Sequence, residues 1–303
     1  MNYRLFPLPL ALCFLLNWLP AQRYHFTHPA MGSLFALTVS TEDSTGLAGA
    51  VAAAFARIDA LEQCLSDYRP DSELNQLRGS TGWREVSPDL YHVLRFSRQL
   101  ARRSRGAFDP TVAPLTKVWR RAFRQQVFPA QEQISRARSQ VHWKNLRVAR
   151  GSPRVRLRQS FVALDLGGVG KGYALDAVAQ VLREAGFSSF LLDGGGDLLL
   201  GERPTDAPGW RVAFPDGTVE EALMHTAVVT SGAAYRYLEW EGVRYSHLID
   251  PRTGLGVTQQ RTVTVLGPVG MVADGLASAL SIGEVDLARH YPGYRVLITE
   301  PDP

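Results

Sequence analysis

Two periods of hydrophobic position run through this chain. From Ser44 to Leu65 the apolar residues recur at helical spacing, which predicts an amphipathic helix. Ser87-Pro88-Asp89 opens a second helix, with a capping serine ahead of a first-turn proline, and Gly106 ends it after Arg105. Gly172 to Gly186 reads as a third helix. Met271 to Ile282 reads as a fourth, made mostly of small residues. Strand patterns fall at Phe26 to Ser40, broken by a Pro-Ala-Met-Gly-Ser turn, and at Gln159 to Asp165, Phe187 to Asp193, Trp210 to Phe214, Ala222 to Val229 and Arg261 to Leu266. Tyr235 to Glu239 and Val243 to Ile249 read as a hairpin around Glu241-Gly242. Ser66 to Asn75 is a polar loop in which Asp71-Ser72-Glu73 can cap a short helix. Ala107 to Leu115, with two prolines, reads as irregular, and 117–160 mixes helical and extended pieces. Strands and helices without steady βαβ alternation predict an α+β fold. No linker, repeat or low-complexity tract divides the chain, so one domain over 25–303 is expected, with mixed sheets and flanking helices.

The first 21 residues stand apart. Leu5 to Pro20 is an apolar run of 16 residues after a single charge, Arg4. It is short for a membrane span and has the layout of a secretory leader. The expectation is an exported, periplasmic protein, with residues 1–21 either removed or kept as an inner-membrane anchor. Without the leader Cys64 has no partner for an internal disulfide, and its place in an amphipathic helix marks it as a packing residue.

The formal charge of +4 conceals an asymmetry: residues 95–158 hold 17 Lys/Arg against Asp109 and Glu132 alone. These cations follow no recognised nucleic-acid-binding pattern, so no nucleic acid partner is expected. A solvated basic face able to meet anionic ligands or membrane headgroups is the simpler reading, which allows peripheral membrane association.

Four weak signals carry chemistry. Gly167-Gly168-Val169-Gly170-Lys171-Gly172 precedes a helix, where free N–H groups and a positive dipole end favour phosphate. It is no nucleotide P-loop, because Asp165 and Gly172 stand where that motif needs Gly and Ser/Thr, and it does not have dinucleotide GxGxxG spacing. A plain strand-to-helix turn remains open for it. Asp193-Gly194-Gly195-Gly196-Asp197 follows a strand and leaves room for a ligand or a chain segment. His247 and Asp250 stand at a strand end, suited to acid–base work or to a structural Asp-Pro turn. Asp274 and Ser278 lie four apart on a helix of small residues, hence on one face, where a carboxylate and a hydroxyl suit a hard cation such as Mg²⁺.

Taken together and in order, these segments resemble the ApbE-like family, the FAD:protein FMN transferases. The resemblance also runs through Ala30-Met31-Gly32-Ser33, Ser66 to Glu73, Gly106 to Leu115, Thr230-Ser231-Gly232 and His247 to Gly254. It implies a Mg²⁺-dependent enzyme with the flavin in a cleft. Such enzymes cleave FAD, release AMP, and attach FMN by a phosphodiester to a Thr or Ser hydroxyl of a partner redox protein. It further implies that Met31, Tyr68, Asp109, Pro110, Thr111, Gly167, Lys171, Tyr173 and Leu248 line the FAD site. Gly170 and Ala277, through their backbones, would hold the metal with Asp274 and Ser278, and His247 and Asp250 would activate the acceptor hydroxyl. The family's target pattern is roughly Asp-x-x-Ser/Thr-Gly/Ser-Ala-Ser/Thr. Val228 to Ala234 comes nearest here but lacks the leading Asp and the final hydroxyl, so the chain is not expected to be its own acceptor. Two other readings share the same residues: an FAD pyrophosphatase with water as acceptor, and a non-catalytic exported flavin-binding protein.

Overall fold

A computed structural model describes residues 22–214, 216–233, 236–283 and 286–300. The leader expected over residues 1–21 and the Tyr235 end of the predicted hairpin lie outside the described residues.

The stretch expected as one broken strand is two. β1 (Gln22–Ala30) and β2 (Ser33–Thr41) pair antiparallel across Met31-Gly32. Both turn residues have positive φ, 52° and 71°, the backbone of a two-residue primed hairpin. α1 (Leu47–Leu65) follows; its Leu47, Val51, Ala54, Ile58 and Leu61 form the buried stripe. Cys64 is buried there and donates to a Glu73 carboxylate oxygen at 3.2 Å. Burial pushes its thiol up to about 12, so it is protonated and inert at neutral pH. α2 (Glu73–Gln76) is capped by Ser72, whose Oγ accepts the Asn75 N–H. β3 (Trp83–Glu85) leads to α3 (Pro88–Arg103), where Ser87 Oγ accepts the Leu90 N–H.

The mixed region resolves into α4 (Ala113–Gln125), α5 (Gln131–Arg138), β4 (Leu146–Val148) and β5 (Arg154–Leu157). The strand expected over Gln159 to Asp165 is absent. These residues are extended or turned without a ladder, and the Asp165 N–H bonds instead to the Pro110 carbonyl at 2.9 Å. After α6 (Gly170–Glu184) come β6 (Phe190–Gly194), β7 (Leu198–Leu200) and β8 (Trp210–Ala213). The predicted strand over 222–229 divides into the end of β9 (Val219–Leu223) and the start of β10 (Thr226–Gly232), with His225 at φ 49° between them. β11 (Tyr237–Trp240), β12 (Val243–Ser246), β13 (Thr262–Gly267), α7 (Gly270–Ile282) and β14 (Arg295–Thr299) complete the chain.

Seven strands form one antiparallel sheet in the order β1-β2-β6-β7-β10-β13-β14. Its alternation sorts side chains between two cores. Phe190, Leu192, Leu199, Val229, Val263 and Val265 face the main core with α1, α6 and α7. Leu191, Leu198, Leu200, Val228 and Leu266 face the other way, where the β8-β9 hairpin covers them with Trp210, Val212 and Leu223. A third core joins α4 and α5 to β11, built on fully buried Trp119, whose indole N–H donates to the Gly254 carbonyl at 2.8 Å. The result is one compact α+β domain, and the third core forms a lip beside the end of the main sheet.

Candidate active site

A cleft of about 480 Å³ opens between that lip and the α6–α7 pair. One wall depends on how closely the two helices meet. A Cβ on Gly172 would lie 2.3 Å from the Gly270 carbonyl oxygen, so only glycine allows this approach. Asp176, one turn along α6, accepts the Gly270 and Met271 N–H groups at 2.7 and 2.8 Å and so caps α7 from outside. This fixes the α7 face that carries Asp274 and Ser278 against the glycine loop.

At that face the charges crowd. Asp274 is buried and its carboxylate accepts the Gly172 N–H at 3.0 Å. Burial, with Asp197 nearby, pushes it up to about 7, with Lys171 pulling the other way. The Lys171 ammonium is bonded to Asp197. Burial opposes its charge, but Asp197 and Asp274 outweigh burial and raise its pKa, so it stays protonated. Ser278 stands over the glycine loop, its Oγ 2.7 Å from where a Gly168 Cβ would be. No three His, Cys, Asp or Glu side chains converge as metal ligands among the described residues. The donor set here is instead one poorly solvated carboxylate, a hydroxyl and nearby backbone. That set fits Mg²⁺, which takes few protein oxygens and completes its shell with water and substrate phosphate.

The facing wall is α4 and the loop before it. Thr116, Trp119, Arg120 and Phe123 line it, with Phe108 and the ring of Tyr68, which is 72% exposed. Arg120 bonds to Asp67 and, at 3.1 Å, to Asp165, and its guanidinium lies 4.0 Å from the Tyr68 ring centre. Thr116 Oγ1 donates to the same Asp165 oxygen, and Gly167 N–H to the other, at 2.9 Å each. The glycine loop is thus tied to the aromatic wall through one carboxylate. Phosphate-sized charge at one end and an aromatic slot at the other suit a flavin nucleotide.

Comparison with known proteins agrees with this geometry. The ApbE family model matches residues 31–295. The chain belongs to the ApbE family. Its relatives include an FAD:protein FMN transferase of Treponema pallidum, 32% identical over 275 residues, covering 82% of this chain and 76% of that protein. Flavin transferase ApbE from Vibrio cholerae superimposes with a TM-score of 0.81 at 26% identity, over 93% of this chain and 95% of that one. The apo flavinyl transferase ApbE of Pseudomonas stutzeri gives 0.79 at 27%, over 94% and 96%.

The residues expected at an ApbE-family site divide. Tyr68, Asp109, Gly167, Lys171, His247, Leu248, Asp274 and Ser278 line the cleft. Met31, Pro110, Thr111, Gly170, Tyr173, Asp250 and Ala277 are not among its lining residues. Gly170 and Ala277 are buried beside it in α6 and α7. Met31 packs its side chain on the main core from the hairpin turn. Tyr173 sits two residues past Lys171, on the opposite side of α6. Its hydroxyl donates to Asp89 at 2.6 Å and its ring stacks on His92. The Asp109 carboxylate points inward, where it accepts from the Thr111 N–H and Oγ1 and the Trp143 N–H. Thr111 Oγ1 in turn accepts the His142 N–H, so the pair folds its loop, and Pro110 contributes the carbonyl that holds Asp165.

His247 and Asp250 form no dyad. Asp250 is engaged by the Arg252 backbone N–H at 2.8 Å and by its guanidinium, which makes it a turn organiser. His247 Nδ1 lies 3.2 Å from the Arg236 carbonyl, which can only accept. The proton therefore sits on Nδ1 and leaves Nε2 as a base. Burial, together with the Arg236 charge, lowers the His247 pKa and keeps the ring neutral. Arg120, Asp165, Asp197, Thr116 and Phe123 were not expected at the site. Asp197 lies in a motif whose glycines, not its carboxylates, suggest room for a ligand or a chain segment, and the α4 residues lie in a region whose helical period carries no chemical signature.

Proposed function

We propose that this protein transfers the FMN portion of FAD to a Ser or Thr hydroxyl of an acceptor redox protein and releases AMP. The observation that carries the reading is one cleft holding Lys171, Asp274 and Ser278 at the glycine loop, an aromatic wall under Arg120, and a neutral histidine. Three supports converge: this geometry, membership of the ApbE family, and relatives that are FAD:protein FMN transferases.

The residues divide the work. The α6 start and Lys171 take the diphosphate, and Tyr68, Phe108 and Phe123 offer faces for its rings. When bound, a Mg²⁺ ion held by Asp274, Ser278 and the backbones of Gly170 and Ala277 supplies charge neutralisation at the diphosphate. His247 Nε2 takes the proton from the acceptor hydroxyl as that oxygen bonds to the FMN phosphorus. The phosphorus–oxygen bond to AMP breaks, and AMP leaves with the electron pair. Phosphoryl transfer of this kind needs placement and charge more than covalent help from the protein. We further propose that the chain is exported to the periplasm, on the strength of the apolar run Leu5 to Pro20, with that run cleaved or retained as an anchor.

The test is Asp274→Ala. FAD turnover should be abolished while far-UV circular dichroism and the unfolding midpoint show an intact fold. Unchanged turnover would contradict the assignment of Asp274.

A further inference from the structure

A second groove, of about 630 Å³, shares no residue with the cleft. It is formed by the small sheet β3-β5-β4 and the edge of α3. Arg98, Arg147, Arg150, Arg156, Arg158 and Trp83 line it, and no carboxylate does. Register explains the cluster. Val155 and Leu157 of β5 are buried, and Leu146 of β4 with them. The alternate positions therefore face out, and Trp83, Arg156 and Arg147 form one row across the three strands. Glu85, opposite Arg154, is the acid on that sheet. None of the five groove arginines has an ion-pair partner among the described residues. Arg98 is held by its Nε–H to the Leu146 carbonyl at 2.9 Å, with its guanidinium 5.9 Å from the Trp143 ring. Burial and the charges of Arg147 and Arg102 lower its pKa. Like charges are thus gathered without an internal counterion, at a place unconnected with the FAD cleft.

We propose that this groove docks the protein on a bilayer surface by binding the headgroup phosphates of anionic phospholipids. Guanidinium groups take phosphate oxygens in pairs, and a tryptophan among them sits at headgroup depth. Trp83 is 47% exposed in the middle of this charge. Three strands give a face about 10 Å wide, a patch for headgroups and too narrow to follow a duplex. No helix among the described residues is long and apolar enough to cross a membrane, so contact through this fold would be peripheral. The chain also carries the apolar run Leu5 to Pro20, and a short apolar anchor with a polybasic patch is a pair of signals that gives stable attachment where one does not. The proposal does not depend on the transferase reading.

The test is flotation of the full chain with phosphatidylcholine vesicles, with and without phosphatidylglycerol. The double variant Arg147→Gln/Arg158→Gln removes two side chains for which no structural hydrogen bond is seen. Wild type should bind the anionic vesicles more tightly, and the excess should fade as salt rises. At about fivefold per arginine, the double variant should lose about twenty-five-fold of that excess. Its unfolding midpoint and its FAD turnover in solution should stay at wild-type values. Equal binding to both vesicles, or an excess that survives the double substitution, would overturn the proposal. So would binding of a DNA duplex, or of inorganic phosphate by calorimetry, in the absence of vesicle binding.

Discussion

Gly172→Ala isolates the contact on which the site's geometry rests. The added Cβ would meet the Gly270 carbonyl oxygen at 2.3 Å and Asp274 Cβ at 2.8 Å, where real contacts essentially never fall under 3.0 Å. The two helices must therefore part by about 0.7 Å, the difference between 2.3 and 3.0 Å. Overpacking of this kind costs about 1–3 kcal/mol. Weakening the Gly172 N–H bond to the Asp274 carboxylate adds about 1.5–3 kcal/mol, and the better helix propensity of alanine returns about 1 kcal/mol. A net loss of about 1.5–5 kcal/mol should appear in urea unfolding. Turnover should fall about 100-fold, the scale of an ångström-sized displacement of a positioned group. Gly170→Ala is the matched control two residues away. Nothing lies within 4 Å of its added Cβ, and its carbonyl is unchanged. It should gain up to about 1 kcal/mol and keep turnover. If Gly172→Ala unfolds within about 0.5 kcal/mol of wild type, the helices do not meet as described.

Three further outcomes follow from individual residues. His247→Ala should slow transfer by about 10²–10⁴ with FAD affinity retained. The wild-type rate should rise with pH through a pKa below the ordinary histidine value of 6.5, because the base is the neutral ring and burial disfavours its charged form. A rate that rises only above that value would remove His247 as base. Arg120→Met leaves Asp67 and Asp165 facing each other with side chains only 8% and 7% exposed, and should cost about 3 kcal/mol. Burial and Asp165 already raise Asp67, and losing Arg120 raises it further. A raised folded pKa means that stability falls as pH rises from the unfolded to the folded value, so the deficit should be smaller in mild acid than at neutral pH by denaturant titration. Asp176→Ala removes both acceptors at the start of α7 and should cost about 1–2 kcal/mol by thermal unfolding, with some loss of turnover; an unchanged midpoint would show that the cap contributes nothing.

What the sequence made legible were features whose meaning is local. The small-residue helix with Asp274 and Ser278 four apart could be read directly, because helical spacing alone puts them on one face. The α4 wall could not. Arg120 finds Asp67 53 residues away and Asp165 45 residues away, and no local pattern marks such a pairing. The run from Gln159 to Asp165 reads as a strand but joins none, because a buried apolar stretch looks the same whether or not it enters a ladder. Asp250 shows the opposite case: it stands in a turn that invites a chemical role, yet the Arg252 N–H and guanidinium occupy it. Asp109 lines the cleft as the resemblance implies, with its carboxylate held by the N–H groups of Thr111 and Trp143. The family resemblance puts Tyr173 at the flavin, whereas the 200° between positions 171 and 173 on a helix turns it toward Asp89.

The central claim is that one cleft both cleaves FAD and delivers FMN to a protein hydroxyl. Incubating the full chain with FAD, Mg²⁺ and an acceptor domain carrying a Ser or Thr in the family's target pattern measures both products, AMP in solution and flavin fluorescence on the denatured acceptor. Equal amounts of AMP and acceptor-bound flavin are the predicted result. AMP with a dark acceptor would make the protein a hydrolase, and neither product would leave it a flavin-binding protein; either outcome contradicts the account.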